Sequence, residues 1–501
     1  MAIKLNSASL QGLEALLVKV EADIHPGLPK FFIVGLPDTA VQEARERVRT
    51  AIANSGWRFP DTRITVNLAP ADMKKEGTQF DLPIALGIVA ARHNIDLTIA
   101  KNSVIIGELS LDGAVRSVPG VLSVALMARK EGLTTLFVPA GNAKEAALIA
   151  GLKIIPIESL QQLIDHLSGD VTISATPLQS LDIHCSAGEV DLANVRGQHY
   201  AKRALEITAA GGHNLRMIGP PGSGKTLLSA ALVSILPPPT IDEALEITRI
   251  YSVAGQLAGQ KAIKTVRPFR HPHHSASPAS LLGGGSNPKP GEISLAHRGV
   301  LFLDEFPEFP RVVIESLRQP LENGIISVAR VANTLIFPAR FILVAAHNPC
   351  PCGWLDDKNR QCNCTPYQII RYQKKLSGPI LDRIDLNITV PTVPFNELTG
   401  TVKAESSARV RERIIAARKI QEKRYVGQPI QTNAEMSLKM IEKYCVINSE
   451  IKELLKKALR ELNLSARGFH RLLKVSRTIA DLASQDEITI AHVSEALQYR
   501  Q

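Results

Sequence analysis

The chain has 501 residues, 45% of them hydrophobic and 21% charged, and a formal net charge of +10. That length exceeds one hydrophobic core, so about two to four domains are expected, with the balance of a soluble globular protein rather than a disordered one. No apolar run approaches the ~18 residues of a membrane span, and the amino terminus lacks a basic stretch followed by an apolar core, which points to the cytoplasm and away from membranes and secretion.

Short strands are expected at Ala2–Leu5, Leu13–Glu21 and Phe31–Val34, then a helix from about Thr39 to Asn54. Arg63–Leu68 alternates as a strand does. Asp81–Arg92 reads as a buried helix, and Ser103–Glu108 and Thr135–Val138 read as apolar strands. The run Phe80-Asp81-Leu82-Pro83-Ile84-Ala85-Leu86, followed by Ile105 to Arg116, resembles the carboxyl-terminal fold of Lon proteases in its non-proteolytic version. Proteolytic members place a serine in a Gly-Pro-Ser-Ala-Gly turn and a lysine further on. Here the turn is Gly77-Thr78-Gln79-Phe80-Asp81 and the lysine's position is Leu122, so protease activity is not expected. Residues 1–170 are read as an α+β Lon-like domain. It is either a scaffold for ring assembly or a DNA-facing collar using Lys74, Lys75 and Arg116. Residues 171–190, with Ser, Thr, Pro and Gly scattered through them, read as a linker.

Gly219-Pro220-Pro221-Gly222-Ser223-Gly224-Lys225-Thr226 follows the apolar run Leu215–Ile218 and precedes a helical run from Leu227. The pattern and its strand–loop–helix context make a P-loop, whose backbone N–H groups and helix N-terminus wrap the phosphates of ATP. Lys225 would reach the β- and γ-phosphates, and Thr226 would hold Mg2+. The apolar strand Gly299–Leu303 ends in Asp304 and Glu305, which places both acids at the carboxyl edge of a parallel sheet, where ligands bind. Asp304 is expected on Mg2+, and Glu305 is expected to orient and deprotonate the attacking water. Phe341–Ala346 is a further apolar strand, ending in His347 and Asn348, and Asn348 is the candidate sensor of the γ-phosphate.

The basic excess lies after residue 180, which fits a polyanion partner such as DNA or a solvated Lys- and Arg-rich helical surface equally well. Arg267-Pro268-Phe269-Arg270-His271-Pro272-His273-His274 is too tight and too Pro-constrained for a simple tetrahedral metal site, and reads as a structural or nucleotide-coupled loop. Ile325–Val331 and Thr334–Phe337 alternate around Ala332-Asn333 as a β-hairpin does. Arg330 near its tip, with Lys264 and Arg267 in the preceding insert, would contact DNA phosphates without sequence preference. Cys350-Pro351-Cys352 and Cys362-Asn363-Cys364 bring four thiolates together with nine residues between the pairs. Such a set suits tetrahedral, structural zinc, with disulfide pairing as the competing reading.

Gly378-Pro379-Ile380-Leu381-Asp382-Arg383-Ile384-Asp385-Leu386 matches a segment of the magnesium-chelatase and MCM branch of AAA+ ATPases whose arginine enters the neighbouring subunit's site. Arg383 is the candidate finger, and an internal ion pair with Asp382 or Asp385 is the competing reading. Helices follow at Ser407–Arg424, Ser437–Tyr444, Ser449–Leu462, Ala466–Ser484 and Ile490–Gln498. Arg467, at the start of a helix capped by Ser465, is the first candidate for a second sensor, and Arg471 the second.

Together these segments resemble the bacterial ComM/YifB family of magnesium-chelatase-related AAA+ proteins over essentially the whole chain. The most specific marks are Pro272-His273-His274, Pro290–Glu305, Asn348–Cys364 and Ser377–Leu386. The resemblance implies an α/β P-loop AAA+ core over 191–395, a small zinc loop at 349–366 and a helical lid over 396–501. It also implies a homo-hexameric, ATP- and Mg2+-dependent DNA helicase or translocase. Such a motor would drive branch migration in homologous recombination and natural transformation, with recombinase and DNA-uptake proteins as partners. A protein-remodelling or chelatase-type motor without a nucleic-acid partner is the alternative.

Overall fold

The structure is a computed structural model and describes residues 2–179, 190–257, 262–285, 288–329, 334–355, 357, 360–394, 397, 404–461 and 465–500. The amino-terminal part opens with β1 (Ile3–Gln11), β2 (Glu14–His25), β3 (Lys30–Val34) and β4 (Arg63–Ala69), in the sheet order β1-β2-β4-β3. β3 runs parallel to β4, and the other pairings are antiparallel. The expected helix Thr39–Asn54 is present, with Asp38 accepting from Val41 N at its start and Val41, Ala44, Val48, Ala51 and Ile52 buried along one stripe. Next come β5 (Ser103–Ile105), β6 (Glu108–Leu109), β7 (Val115–Arg116), β8 (Thr135–Pro139) and β9 (Lys153–Ile157). Sequence periodicity predicts one strand over Ser103–Glu108, and the structure has two. Gly107 interrupts it, because its N–H turns to Gln79 O and a side chain there would meet Val115 and Leu82.

Lys75, expected on a DNA-facing collar, is fully buried with its ammonium on the Pro70 carbonyl. Leu122, at the position of the proteolytic lysine, is also buried and donates its N–H to the Glu145 carboxylate at 2.9 Å. Burial pushes the Glu145 carboxyl up, and the same group accepts from Asn142 and from Ser252 on the helix Ile241–Val253. Gly120 N donates to Ser252 O at 3.0 Å, and Arg249 donates to Leu13 O. The amino-terminal part is thus fastened to that helix by hydrogen bonds, several of them buried.

The remaining strands are β10 (Leu215–Ile218), β11 (Phe269–Arg270), β12 (Gly283–Gly284), β13 (Lys289–Pro290), β14 (Val300–Leu303), β15 (Ile325–Ala329), β16 (Thr334–Pro338), β17 (Ile342–His347) and β18 (Leu386–Thr389). Five of them form a parallel sheet in the order β11-β14-β17-β10-β18. All of β14 and β17 is buried, as strands covered on both faces by helices must be. β12–β13 and β15–β16 are antiparallel hairpins. The expected turn at Ala332-Asn333, and Arg330 near it, lie outside the described residues. β16 buries Phe337 with Leu13, Ile247 and Tyr251, which wedges the base of this hairpin between the amino-terminal part and the motor helix. The carboxyl-terminal helices include Ser407–Arg424, Ala466–Leu482 and Ile490–Gln498. They share one core with the helices His199–Gly211 and Lys225–Ile235 through Ile414, Ala417, Leu472, Ile479, Ala204 and Leu232.

Candidate active site

The parallel register aligns Ile218 with His347 and Leu303 with Ala345, so the residues after β10, β14 and β17 emerge on one carboxyl edge. Gly219 begins the P-loop against β18, where a side chain would sit 2.2 Å from Val390 O. Gly222 and Gly224 have φ of 77° and 90°, which an L side chain tolerates poorly. Lys225 opens the following helix and is buried. Its ammonium donates to Gly219 O at 2.8 Å, Pro220 O at 2.9 Å and Asn348 Oδ1 at 3.3 Å. Burial pulls its pKa down, partly offset by the Asp304 charge.

Thr226 Oγ1 donates to Asp304 Oδ2 at 3.2 Å. A hydroxyl and a carboxylate converging at a helix N-terminus are the oxygen donors that Mg2+ accepts beside phosphates, so these residues fit the ion. The other Asp304 oxygen accepts from Glu305 N at 2.9 Å. Glu305 itself turns elsewhere, with Oε2 2.9 Å from His274 Nδ1. Sequence reading missed His274 as a partner, because the two residues are far apart in the chain and no local pattern joins them. His347 is held neutral: burial pulls its pKa down to about 4, with Arg216 and Lys225 adding to the shift against its hydrogen bond to Asn348 O.

The cysteines also gather at this edge. Cys350, Cys352 and Cys362 have Sγ separations of 3.4, 3.5 and 3.7 Å, and all four sulfurs including Cys364 lie within 4.8 Å of one another. A disulfide needs ~2.05 Å, whereas four sulfurs ~2.3 Å from zinc are about 3.8 Å apart, so the set fits a tetrahedral metal. Gly353 (φ 86°), next to Cys352, lies against the P-loop, and a side chain there would meet Pro221 at 2.6 Å and Asn348 at 3.7 Å.

Arg383 and Arg467 occupy the opposite edge. Arg383 lies three residues before β18, whose Leu386 pairs with Leu215 at the start of β10. Arg383 is only 5% exposed, and its guanidinium is bonded to Glu322 rather than to Asp382 or Asp385. Arg467 stands 3.7 Å from the same Glu322. Arg471 pairs with the buried Asp385 at 2.7 Å. Burial alone would push the Asp385 carboxyl up, but Arg471 and His213 hold it far below the usual carboxylate range. A cavity of about 490 Å3, lined in part by Glu322, Asp385, Arg471 and Lys474, opens between this edge and the helical region. Within one chain, therefore, Arg383 and Arg467 are separated from Lys225 by the length of the sheet.

The expected DNA contacts fare differently from one another. Arg267 is enclosed, donating to Glu243 at 2.7 Å, Pro237 O at 2.7 Å and Arg298 O at 2.8 Å, so it braces the core instead of facing a polyanion. Lys264 is partly buried, with its ammonium 4.9 Å from the Tyr251 ring centroid. Arg330 lies outside the described residues.

Three family descriptions match successive stretches of the chain. They are the subunit ChlI of Mg-chelatase over residues 20–142, magnesium chelatase subunit ChlI over 191–398, and the ChlI C-terminal part over 404–500. Lon protease 2 of Bacillus subtilis is 30% identical over 126 residues, 24% of this chain and 22% of its own. YifB of Salmonella typhimurium is 45% identical over 490 residues, 98% of this chain and 95% of its own. The competence protein ComM of Haemophilus influenzae is 45% identical over 507 residues, 100% of this chain and 97% of its own. Similarity at that level, sustained from one end of both chains to the other, means that this protein belongs to the ComM/YifB family of magnesium-chelatase-related AAA+ proteins.

Proposed function

We propose that the chain is one subunit of a hexameric, ATP-hydrolysing motor that acts in the cytoplasm. It moves along DNA and drives branch migration in homologous recombination, including that of DNA taken up in transformation. The convergence of Lys225, Thr226, Asp304 and Asn348 at one sheet edge carries this reading. Thr226 and Asp304 hold Mg2+, which neutralises charge on the β- and γ-phosphates when bound. Glu305 takes the proton of the attacking water, and Asn348 senses the γ-phosphate beside Lys225. Arg383 and Arg467, on the far edge, serve the nucleotide of the next subunit, and that division supports a ring. The name of the Haemophilus influenzae relative, a competence protein, supports DNA as the partner. So do the net charge of +10 and the exposed Lys289 at the β12–β13 hairpin.

ATP hydrolysis should rise several-fold with duplex or forked DNA. The DNA concentration needed should increase by roughly 10³-fold between about 50 and 200 mM salt, as for a protein neutralising about six phosphates. Branch migration of a four-way junction should require ATP. Hydrolysis indifferent to DNA at every salt concentration would sink this reading in favour of the chelatase-type motor, which the matched family description supports.

The four cysteines hold structural zinc, and the Gly353 contact makes that loop the outer wall of the P-loop. Cys362→Ser should lower bound zinc by more than half and weaken ATP binding roughly tenfold, read by elemental analysis and nucleotide titration. Full zinc content, or unchanged ATP affinity in zinc-free protein, would contradict the arrangement.

A further inference from the structure

The cavity at the amino edge of the sheet is lined by no residue of the P-loop, nor by Arg383 or Arg467. One wall is the start of all five parallel strands. Arg267, Arg298, Arg340, Asn214 and Asp385 stand one or two residues before β11, β14, β17, β10 and β18. The other wall is the helical region, which supplies Arg418 from the helix Ser407–Arg424, and Arg471 and Lys474 from the helix Ala466–Leu482. The two walls are tied where Arg298 donates to Gln431 Oε1 at 3.2 Å and Arg340 to Pro429 O at 3.2 Å.

Six cationic and four acidic side chains line this space. The acids are all engaged. Glu243 accepts from Arg267 at 2.7 Å, and Asp385 from Arg471 at 2.7 Å. Glu322 is held by Arg383, from outside the lining. Glu435 accepts from Gln431 N at 2.8 Å and lies 3.5 Å from Arg340. Among the described residues, no carboxylate pairs with the other two cations, Arg418 and Lys474. Arg418 donates to Ala209 O at 2.8 Å, and Lys474 to Ala434 O at 2.8 Å. A carbonyl dipole leaves a full positive charge uncompensated, and holding such a charge out of water is costly. Burial accordingly pulls the Arg418 guanidinium down to about 10, with Arg267 adding to the shift. It pulls the Lys474 ammonium down to about 8, with the Asp385 charge offsetting part of the effect. An anion in the cavity would relieve both.

The chemistry of that anion follows from its donors. A guanidinium offers a fork that matches phosphoryl oxygens, and an ammonium adds a point charge. The lining also includes Phe341, Ile430 and Met436, which give an organic group an apolar surface. The volume of about 490 Å3 lies within the range of small-molecule sites, about 300–1,000 Å3. We propose that this cavity is a second small-molecule site, which binds a phosphate-bearing anion with Arg418 and Lys474 as its donors. Such a ligand would touch both the sheet and the helical region.

Calorimetric titration of the full chain with pyrophosphate, after the P-loop is filled by a saturating non-hydrolysable ATP analogue, should show a separate binding event. Arg418→Gln and Lys474→Met should each weaken it at least tenfold, and Arg418→Lys should stay within about threefold of the unmutated protein. Lys225→Ala should leave it within about twofold. Pyrophosphate should also raise the Tm of the unmutated protein above that in sodium chloride of equal ionic strength, and leave the Tm of Lys474→Met unchanged. Where one of the two neutral variants does not fold, the other carries the test. Guanosine diphosphate binding at least tenfold tighter than pyrophosphate would make the ligand an organic phosphate, and equal binding would make it the inorganic ion, with the site upheld in either case. No separate event, or one that Arg418→Gln and Lys474→Met both keep, would overturn the site. So would an event lost in Lys225→Ala alone, which places the anion in the P-loop.

Discussion

Glu305→Gln should leave ATP binding and subunit assembly intact while lowering kcat by about 10²- to 10⁴-fold, the contribution of a positioned general base. The substitution keeps the length of the side chain and its hydrogen-bonding capacity, and removes only the proton acceptor. Asp304 and Thr226 stay in contact with each other, so the site for Mg2+ is untouched. The measurement is single-turnover hydrolysis beside equilibrium nucleotide binding. Hydrolysis at the unmutated rate would end the role assigned to Glu305.

Arg383→Ala should lower kcat by about 10³-fold in the assembled protein, as loss of an arginine finger does. The internal partner of Arg383 complicates this result, because the substitution also strips Glu322 of a half-buried ion pair. Glu322→Gln removes the same pair but leaves the guanidinium, so it should retain most of the activity if Arg383 works on a neighbour. A mixing experiment separates the two edges further. Lys225→Ala has a disabled carboxyl edge, and Arg383→Ala a disabled amino edge. Each is inactive alone, yet equal mixtures should recover activity at about one interface in four, where both intact edges meet. No recovery on mixing would show that Arg383 serves its own chain.

What the sequence makes legible here is what neighbouring residues decide together. The P-loop, the Asp304–Glu305 pair and the stripe of Thr39–Asn54 are written in consecutive residues or in a fixed period, and the backbone follows them. Side-chain partnerships across the fold are not written that way. Arg267 counts as one more positive charge until Glu243, on the helix Ile241–Val253, encloses it. Lys75 looks like a surface cation until the Pro70 carbonyl takes it inside. Glu322 gives no signal beside the hairpin, although it gathers Arg383 and Arg467. The competing reading of Arg383 pairs it with a near neighbour in sequence, Asp382 or Asp385, but Asp385 belongs to Arg471 and His213.

With Lys225 at one end of the strands and Arg383 at the other, the proposed division gives each chain half of one site and half of another, if Arg383 serves its neighbour. An open arc of such chains, however long, always has an unmatched loop at one tip and an unmatched arginine at the other. Only closure removes both tips. The turnover per chain should therefore climb with protein concentration even among short oligomers, and then level off abruptly once the last gap is sealed.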